Sequence, residues 1–216
     1  MMHGMSNVTA IVLFPGTNRE TDMAAAIARS GGHPVSVSHA ADVLPASTNL
    51  VILPGGFSYG DYLRCGAMAA RTPIMDAVRR FAHNGGRVLG VCNGFQTLCE
   101  AGLLPGALLP NAGGSFICRS VSLHSELDSP FSAAGLSLRW PVAHGDGRYH
   151  AAPDAPPRVV YRYDEPVNGS VDNIAGILND RGNVCGMMPH PENAVDPAGA
   201  TGTDGRPFFA RLLAAA

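Results

Sequence analysis

The sequence predicts an α/β protein with a mostly parallel sheet flanked by helices. Three observations carry this. Short apolar, β-branched segments alternate with helical ones through the first hundred residues. Glycine pairs close three of these segments: Gly31-Gly32, Gly55-Gly56, Gly85-Gly86. And one buried strand runs straight into a helix across Val88 to Gln96.

Val8 to Phe14 reads as a buried strand ended by the turn Pro15-Gly16-Thr17-Asn18. Asp22 to Ser30 follows as an Ala-rich helix stopped by Gly31-Gly32. Pro34 to His39 and Leu50 to Leu53 are the next strands, the second closed by Pro54-Gly55-Gly56. Pro73 to Asn84 is an amphipathic helix. Proline suits its first turn, and Ile74, Ala77, Val78 and Phe81 form one stripe. Arg87 to Val91 is a short strand, and Asn93 to Ala101 a helix ended by Gly102. Ser115 to Tyr163 changes to short alternating segments, such as Ser120 to Leu123 and Leu136 to Val142. Ala151 to Pro157 reads as a surface loop, Ile174 to Met188 as a β-hairpin turning at Asn179 to Asn183, and Pro207 to Leu213 as a last helix. With no linker and no internal repeat, residues 1–216 are expected to form one domain.

Composition narrows the functions. Hydrophobic residues make up 46% of the chain and charged ones 15%, which supports a core and argues against disorder. The net charge of −2 suggests neither a nucleic-acid surface nor a polybasic membrane anchor. No apolar run approaches the roughly 18 residues of a membrane span, and Met1 to Ala10 lacks a secretory pattern. Five irregularly spaced cysteines point to a reduced, cytoplasmic setting. All fifteen cationic residues are Arg. Without Lys there is neither a Walker A phosphate loop nor Schiff-base chemistry. No C-x-x-C or H-x-x-x-H pair suggests a metal site.

The strongest local signal is Gly90-Val91-Cys92-Asn93-Gly94, a nucleophile elbow of the form G-x-C-x-G. The glycines let the backbone turn sharply and approach its neighbours. The sulfur is placed at a helix N-terminus, where free N–H groups and the dipole favour thiolate. A buried Cys in an ordinary strand–helix turn is the plainer alternative, and the flanking glycines weigh against it. Cys99 and Cys185 read as core, whereas Cys65 lies in a Gly-rich loop bordering the site.

Met187-Met188-Pro189-His190-Pro191-Glu192 supplies a base and its orienter. On extended chain, residues two apart point the same way. His190 and Glu192 can therefore address one site, with the carboxylate fixing the imidazole tautomer. A lone His is usually structural; His190 escapes that reading only jointly with Glu192 and Cys92. Oxyanion donors are the N–H groups of Asn93 and, from Leu53-Pro54-Gly55-Gly56-Phe57, of Gly56. His144, in Ala143-His144-Gly145-Asp146-Gly147, and Phe57 are further candidates for contact with substrate. His3, His33, His39, His83, His124 and His150 read as surface or structural.

These segments, with Gly56-Phe57-Ser58-Tyr59-Gly60-Asp61-Tyr62-Leu63-Arg64 and Asn168-Gly169-Ser170, resemble the class I, triad-type glutamine amidotransferases. Within them the chain is most similar to the glutaminase subunits of phosphoribosylformylglycinamidine synthase, over nearly its whole length. The resemblance implies a flavodoxin-like sheet and a Cys-His-Glu triad of Cys92, His190 and Glu192. It implies Gln96 near the glutamine substrate, and no cofactor in this chain. ATP and Mg are then expected on a partner synthetase subunit, with a small third subunit for assembly. A glutaminase serving a different synthetase and a catalytically silent scaffold are the alternatives. Asn193 stands where the family commonly has Arg, which puts a local salt bridge in doubt. Pro110 and Gly113-Gly114 replace more polar residues, which puts a loop conformation in doubt.

Overall fold

The computed structural model describes residues 8–199 and 201–215. Residues 1–7 lie outside the described residues. They carry His3 and most of the stretch read above as lacking a secretory pattern.

The chain begins with β1 (Val8–Leu13), α1 (Glu20–Arg29), β2 (His33–Ser38) and β3 (Thr48–Leu53). It continues through α2 (Pro73–His83), β4 (Arg87–Val91) and α3 (Asn93–Glu100). Each lies within a few residues of its expected place, because each is written in local periodicity and bounded by turn residues. Pro73 opens α2, which buries Ile74, Met75, Ala77, Val78 and Ala82; fully burying a Val or Ile side chain is worth about 1.5–3 kcal/mol. Phe81 belongs to the stripe but is only partly buried.

The second half holds β5 (Ala107–Leu109), β6 (Ile117–Ser125), β7 (Ser137–His144), β8 (Arg148–His150) and β9 (Arg158–Tyr163). Then come β10 (Ile174–Leu178), β11 (Val184–Met187) and α4 (Gly205–Ala214). The expected hairpin is present as the antiparallel pair β10–β11.

One nine-stranded sheet runs in the order β2-β1-β3-β4-β11-β10-β9-β6-β7. Its first five strands are parallel, in the 2-1-3-4-5 order of flavodoxin-like sheets. The remaining pairings, β11–β10, β10–β9, β9–β6 and β6–β7, are antiparallel. The parallel half thus comes from the helix-alternating part of the sequence plus β11, and the antiparallel half from the part that lacks long helices. Strands β5 and β8 pair separately. Buried side chains line the whole sheet, from Ile11, Leu50 and Val88 to Trp140 and Tyr161. No helix among the described residues is long and apolar enough to cross a membrane.

Candidate active site

The site forms at the carboxyl ends of β3, β4 and β11, where open α/β sheets bind ligands. Cys92 sits between β4 and α3 with φ 52° and ψ −108°, a left-handed backbone that a non-glycine residue rarely adopts. Its N–H donates to the Met187 carbonyl at 2.8 Å, tying the elbow to β11. Gly94 and Gly90 make this turn possible. A Cβ on Gly94 would stand 1.9 Å from the Leu53 carbonyl oxygen, and one on Gly90 2.6 Å from that of Gly94. Any side chain at either position would push α3 off the sheet.

His190 and Glu192 follow β11. His190 Nδ1 lies 2.7 Å from Glu192 Oε1, and both side chains are almost wholly buried. The expectation that they meet on extended chain is corrected. Residues 191–193 form a single 3-10 turn opened by Pro191, and the carboxylate folds back onto the ring across that turn. Proline, with its fixed φ, suits the first position of such a turn. The backbone N–H of His190 donates to the Pro141 carbonyl at 2.8 Å, so β7 anchors the segment.

Burial acts against a charged imidazole at His190. The Glu192 carboxylate and the Cys92 sulfur outweigh it and raise the pKa above the ordinary value. Nε2 of His190 has no hydrogen-bond partner, and the Cys92 sulfur lies 3.7 Å from the Ala143 carbonyl. Nucleophile–base hydrogen bonds are often long before they tighten around substrate.

A cavity of about 130 Å³ opens beside the sulfur, lined by Cys92, Gly56, Phe57, Gln96 and His144 among others. The structure therefore brings five of the sequence-predicted residues to one cavity, while His190, Glu192 and Asn93 are not among its lining residues. The Asn93 N–H, first in α3, has no partner within the helix. Gly56 pairs with Thr17 in an isolated bridge. Its bonds run from Phe57 N–H to the Gly16 carbonyl and from Asn18 N–H to the Gly55 carbonyl, which leaves the Gly56 N–H outside the pair.

Gln96 is a brace. Its Oε1 accepts from Asn93 Nδ2 at 2.9 Å, and its Nε2 donates to the Asp146 carbonyl at 2.7 Å. His144 is buried, with Nδ1 3.0 Å from Asn111 Oδ1. Its pKa is lowered to about 4, by burial first and then by the charge of His190.

Asp61, Cys65, Phe116 and Asp146 also line the cavity. Of these, the sequence alone places only Cys65 near the site. Burial and the carboxylates of Asp61 and Asp146 push the Cys65 thiol far up. Asp61 and Asp146 lie within the quoted motifs, which is the signal that could have found them. Asn193, in place of Arg, donates to Asp22 Oδ2 at 3.0 Å.

Comparison with known proteins gives a consistent set of relatives. A family model for the CobB/CobQ-like glutamine amidotransferase domain matches residues 6–163. Phosphoribosylformylglycinamidine synthase subunit PurQ of Rhodopseudomonas palustris strain HaA2 is 54% identical, covering 95% of this chain and 96% of its own. The protein of that name from Bradyrhizobium diazoefficiens is 56% identical, with 94% and 95% covered. In the structure of PurLQS from Thermotoga maritima, one chain superposes with a TM-score of 0.92 at 45% identity, covering 97% and 99%. A glutamine amidotransferase from Thermotoga maritima shares the fold, with a TM-score of 0.62 at 15% identity over 87% of this chain and 76% of its own.

Proposed function

The chain belongs to the CobB/CobQ-like glutamine amidotransferase family, and from that premise we infer that it is the glutaminase subunit of phosphoribosylformylglycinamidine synthase, an enzyme of purine biosynthesis. It hydrolyses glutamine to glutamate and ammonia, and a synthetase subunit uses the ammonia. The relatives named as that synthase's subunit match over nearly their full length. The likeness to a chain of PurLQS supports a complex with the synthetase and a small assembly subunit. ATP and Mg belong to the synthetase partner, in keeping with a chain that has no Lys. Five unpaired cysteines suit the reducing cytoplasm.

Within this reading Cys92, His190 and Glu192 are the catalytic triad. The observation that carries the assignment is the buried His190–Glu192 pair beside a thiol at a strand–helix elbow. The Cys92 thiolate attacks the side-chain amide carbon of glutamine. The oxygen becomes an oxyanion, held by the N–H groups of Gly56 and Asn93. His190, kept protonated by Glu192, gives its proton to the leaving nitrogen as the C–N bond breaks, and ammonia departs. A glutamyl thioester remains. Water, deprotonated by His190, attacks it; the C–S bond breaks, and glutamate and the thiolate are released. Phe57, Gln96 and His144 shape the substrate cavity.

The test is Cys92→Ala in the reconstituted complex. Glutamine-dependent product formation should vanish, while added ammonia still supports synthesis. Retained glutamine-dependent turnover would place the nucleophile elsewhere. Loss of ammonia-dependent synthesis in an assembled complex would mean that this chain takes part in the synthetase step itself.

A further inference from the structure

The last helix meets the turn that carries Glu192 through a residue with no side chain. The sequence pattern starts that helix at Pro207, but α4 begins at Gly205. Gly205 is buried, and it is not among the residues with positive φ. A glycine in a helix is less stable than an alanine, and backbone freedom does not account for it here. Space does. A Cβ at position 205 would stand 2.0 Å from the Pro191 carbonyl oxygen and 2.9 Å from that of Ala194. Both neighbours are backbone, which cannot swing aside as the end of a flexible side chain can.

The contact falls on one peptide. The Pro191 carbonyl belongs to the bond that joins Pro191 to Glu192, and it accepts from the Ala194 N–H at 3.0 Å, closing the turn. The Gly205 N–H donates to the Ala194 carbonyl at 2.8 Å, so the start of α4 is tied to the turn as well as pressed against it. The helix is fixed in its turn to β7. Asp204 Oδ2 accepts from the Arg139 N–H at 2.9 Å, and Phe208 packs edge-to-face on Trp140 with ring centroids 5.5 Å apart. Strand β7 also supplies the Pro141 carbonyl that receives the His190 N–H. His190 and α4 thus hang from one strand, with the peptide before Glu192 held between them. Phe208, Phe209 and Leu212 are buried, so α4 cannot retreat without exposing them.

We propose that Gly205 is a positioning residue for the acid–base pair: its bare Cα lets the start of α4 close on the Pro191–Glu192 peptide and so sets the reach of the Glu192 carboxylate to the His190 ring. This rests on the triad assignment above. Below about 3.0 Å a Cβ and a carbonyl oxygen do not coexist, so a methyl group placed 2.0 Å from the Pro191 oxygen must move something by about 1 Å. With α4 anchored to β7, the peptide of a single turn gives way first. Glu192 Oε1 lies 2.7 Å from His190 Nδ1. Stretching that bond by about 1 Å takes it out of hydrogen-bond range, and a misplacement of that size costs on the order of 100-fold in rate.

The experiment uses the reconstituted complex with Gly205→Ala, Glu192→Gln and the two combined. Gly205→Ala should lower glutamine-dependent kcat by about 10- to 100-fold and leave KM within about threefold. In the Glu192→Gln background it should add less than about threefold, because the carboxylate it acts through is gone. A merely structural role would multiply the two losses. Ammonia-dependent synthesis, unchanged, reports that the variants fold and assemble. Ala210→Gly loosens the exposed face of the same helix and should keep kcat within about twofold. If Gly205→Ala does not assemble, position 204 decides. Asp204→Ala frees α4 from β7 without a clash and should lower kcat several-fold, and Asp204→Asn, which keeps an acceptor for the Arg139 N–H, should restore it. Wild-type kcat in an assembled Gly205→Ala complex would overturn the proposal. So would losses that multiply, an equal loss in Ala210→Gly, or wild-type kcat in Asp204→Ala. If Glu192→Gln itself kept wild-type kcat, the triad reading would fall and the proposal with it; an inert Gly205→Ala beside a damaging Glu192→Gln sinks the proposal alone.

Discussion

Two pairs of one thiol and one histidine stand at the site, Cys92 with His190 at the elbow and Cys65 with His144 on the cavity's loops, and their charged neighbours differ. On the elbow side, Cys92 stands at the N-terminus of α3, and His190 is backed by a buried carboxylate that favours its charged form. In the loop pair, Cys65 stands between Asp61 and Asp146, which disfavour its thiolate. There His144 is tied to the neutral amide of Asn111 and is held uncharged. Burial lowers both imidazoles, His144 being 2% exposed and His190 3%, and only at His190 do a carboxylate and a sulfur outweigh it. Reactivity is assigned by the neighbour, a carboxylate or an amide, a helix terminus or two acids.

The comparison can be broken by experiment. His190→Ala should lower glutamine-dependent kcat in the reconstituted complex by about 10²- to 10⁴-fold, the usual contribution of a positioned acid–base group. His144→Ala should lose far less. Equal losses would erase the distinction between the two histidines.

The thiols give the next test. A glutamine-like electrophile should alkylate Cys92 and leave Cys65 free, read by peptide mapping. Label found chiefly on Cys65 would reverse the assignment of the two pairs.

Stability against pH sharpens the contrast, because the two histidines act in opposite directions. His190 has a raised pKa in the fold, so its contribution is present below the ordinary value near 6.5 and is lost as pH rises toward the shifted one. His144 has a lowered pKa. The unfolded chain takes up the proton first, so its contribution is lost as pH falls from about 6.5 toward about 4. That loss is at most about 3 kcal/mol. Urea unfolding of wild type and His144→Gln between those pH values should show a flatter acid slope in the variant. Identical slopes would mean that His144 is not held neutral.

The smallest effect is expected just outside the triad. Asn193→Arg should keep turnover within about twofold and shift stability by no more than about 1 kcal/mol, as for an exposed ion pair. Its side chain faces Asp22, away from the ring, and Asp22 already pairs with Arg19 at 3.0 Å. A tenfold or larger fall in turnover would show that position 193 reaches the catalytic pair.

The elbow side was readable because its determinants are local: a strand, two glycines and a helix within nine residues, then His190 and Glu192 two apart. What failed there was the backbone between the pair, where Pro191 starts a 3-10 turn in place of extended chain. The surroundings of the loop pair were much less legible. Asp61 and Asp146 come from loops far apart in sequence, and only the sheet order brings them to one cavity. The loop around Asp61 also hid its shape. Tyr59, Asp61 and Leu63 all have positive φ, a conformation that sequence reasoning expects of glycine. The antiparallel half of the sheet was seen as strands, but its joining to the parallel half through β10–β11 depends on long-range pairing that no local pattern encodes.

The backbone of Cys92 has a consequence for how such a chain evolves. A non-glycine residue at φ 52°, ψ −108° carries on the order of 1–3 kcal/mol of conformational cost. Glycine would occupy the same turn almost freely. Selection for thermal endurance alone would therefore favour glycine at position 92 and leave a sturdier, inert protein. The cysteine persists there only while turnover is under selection, so at this one residue durability and chemistry pull in opposite directions.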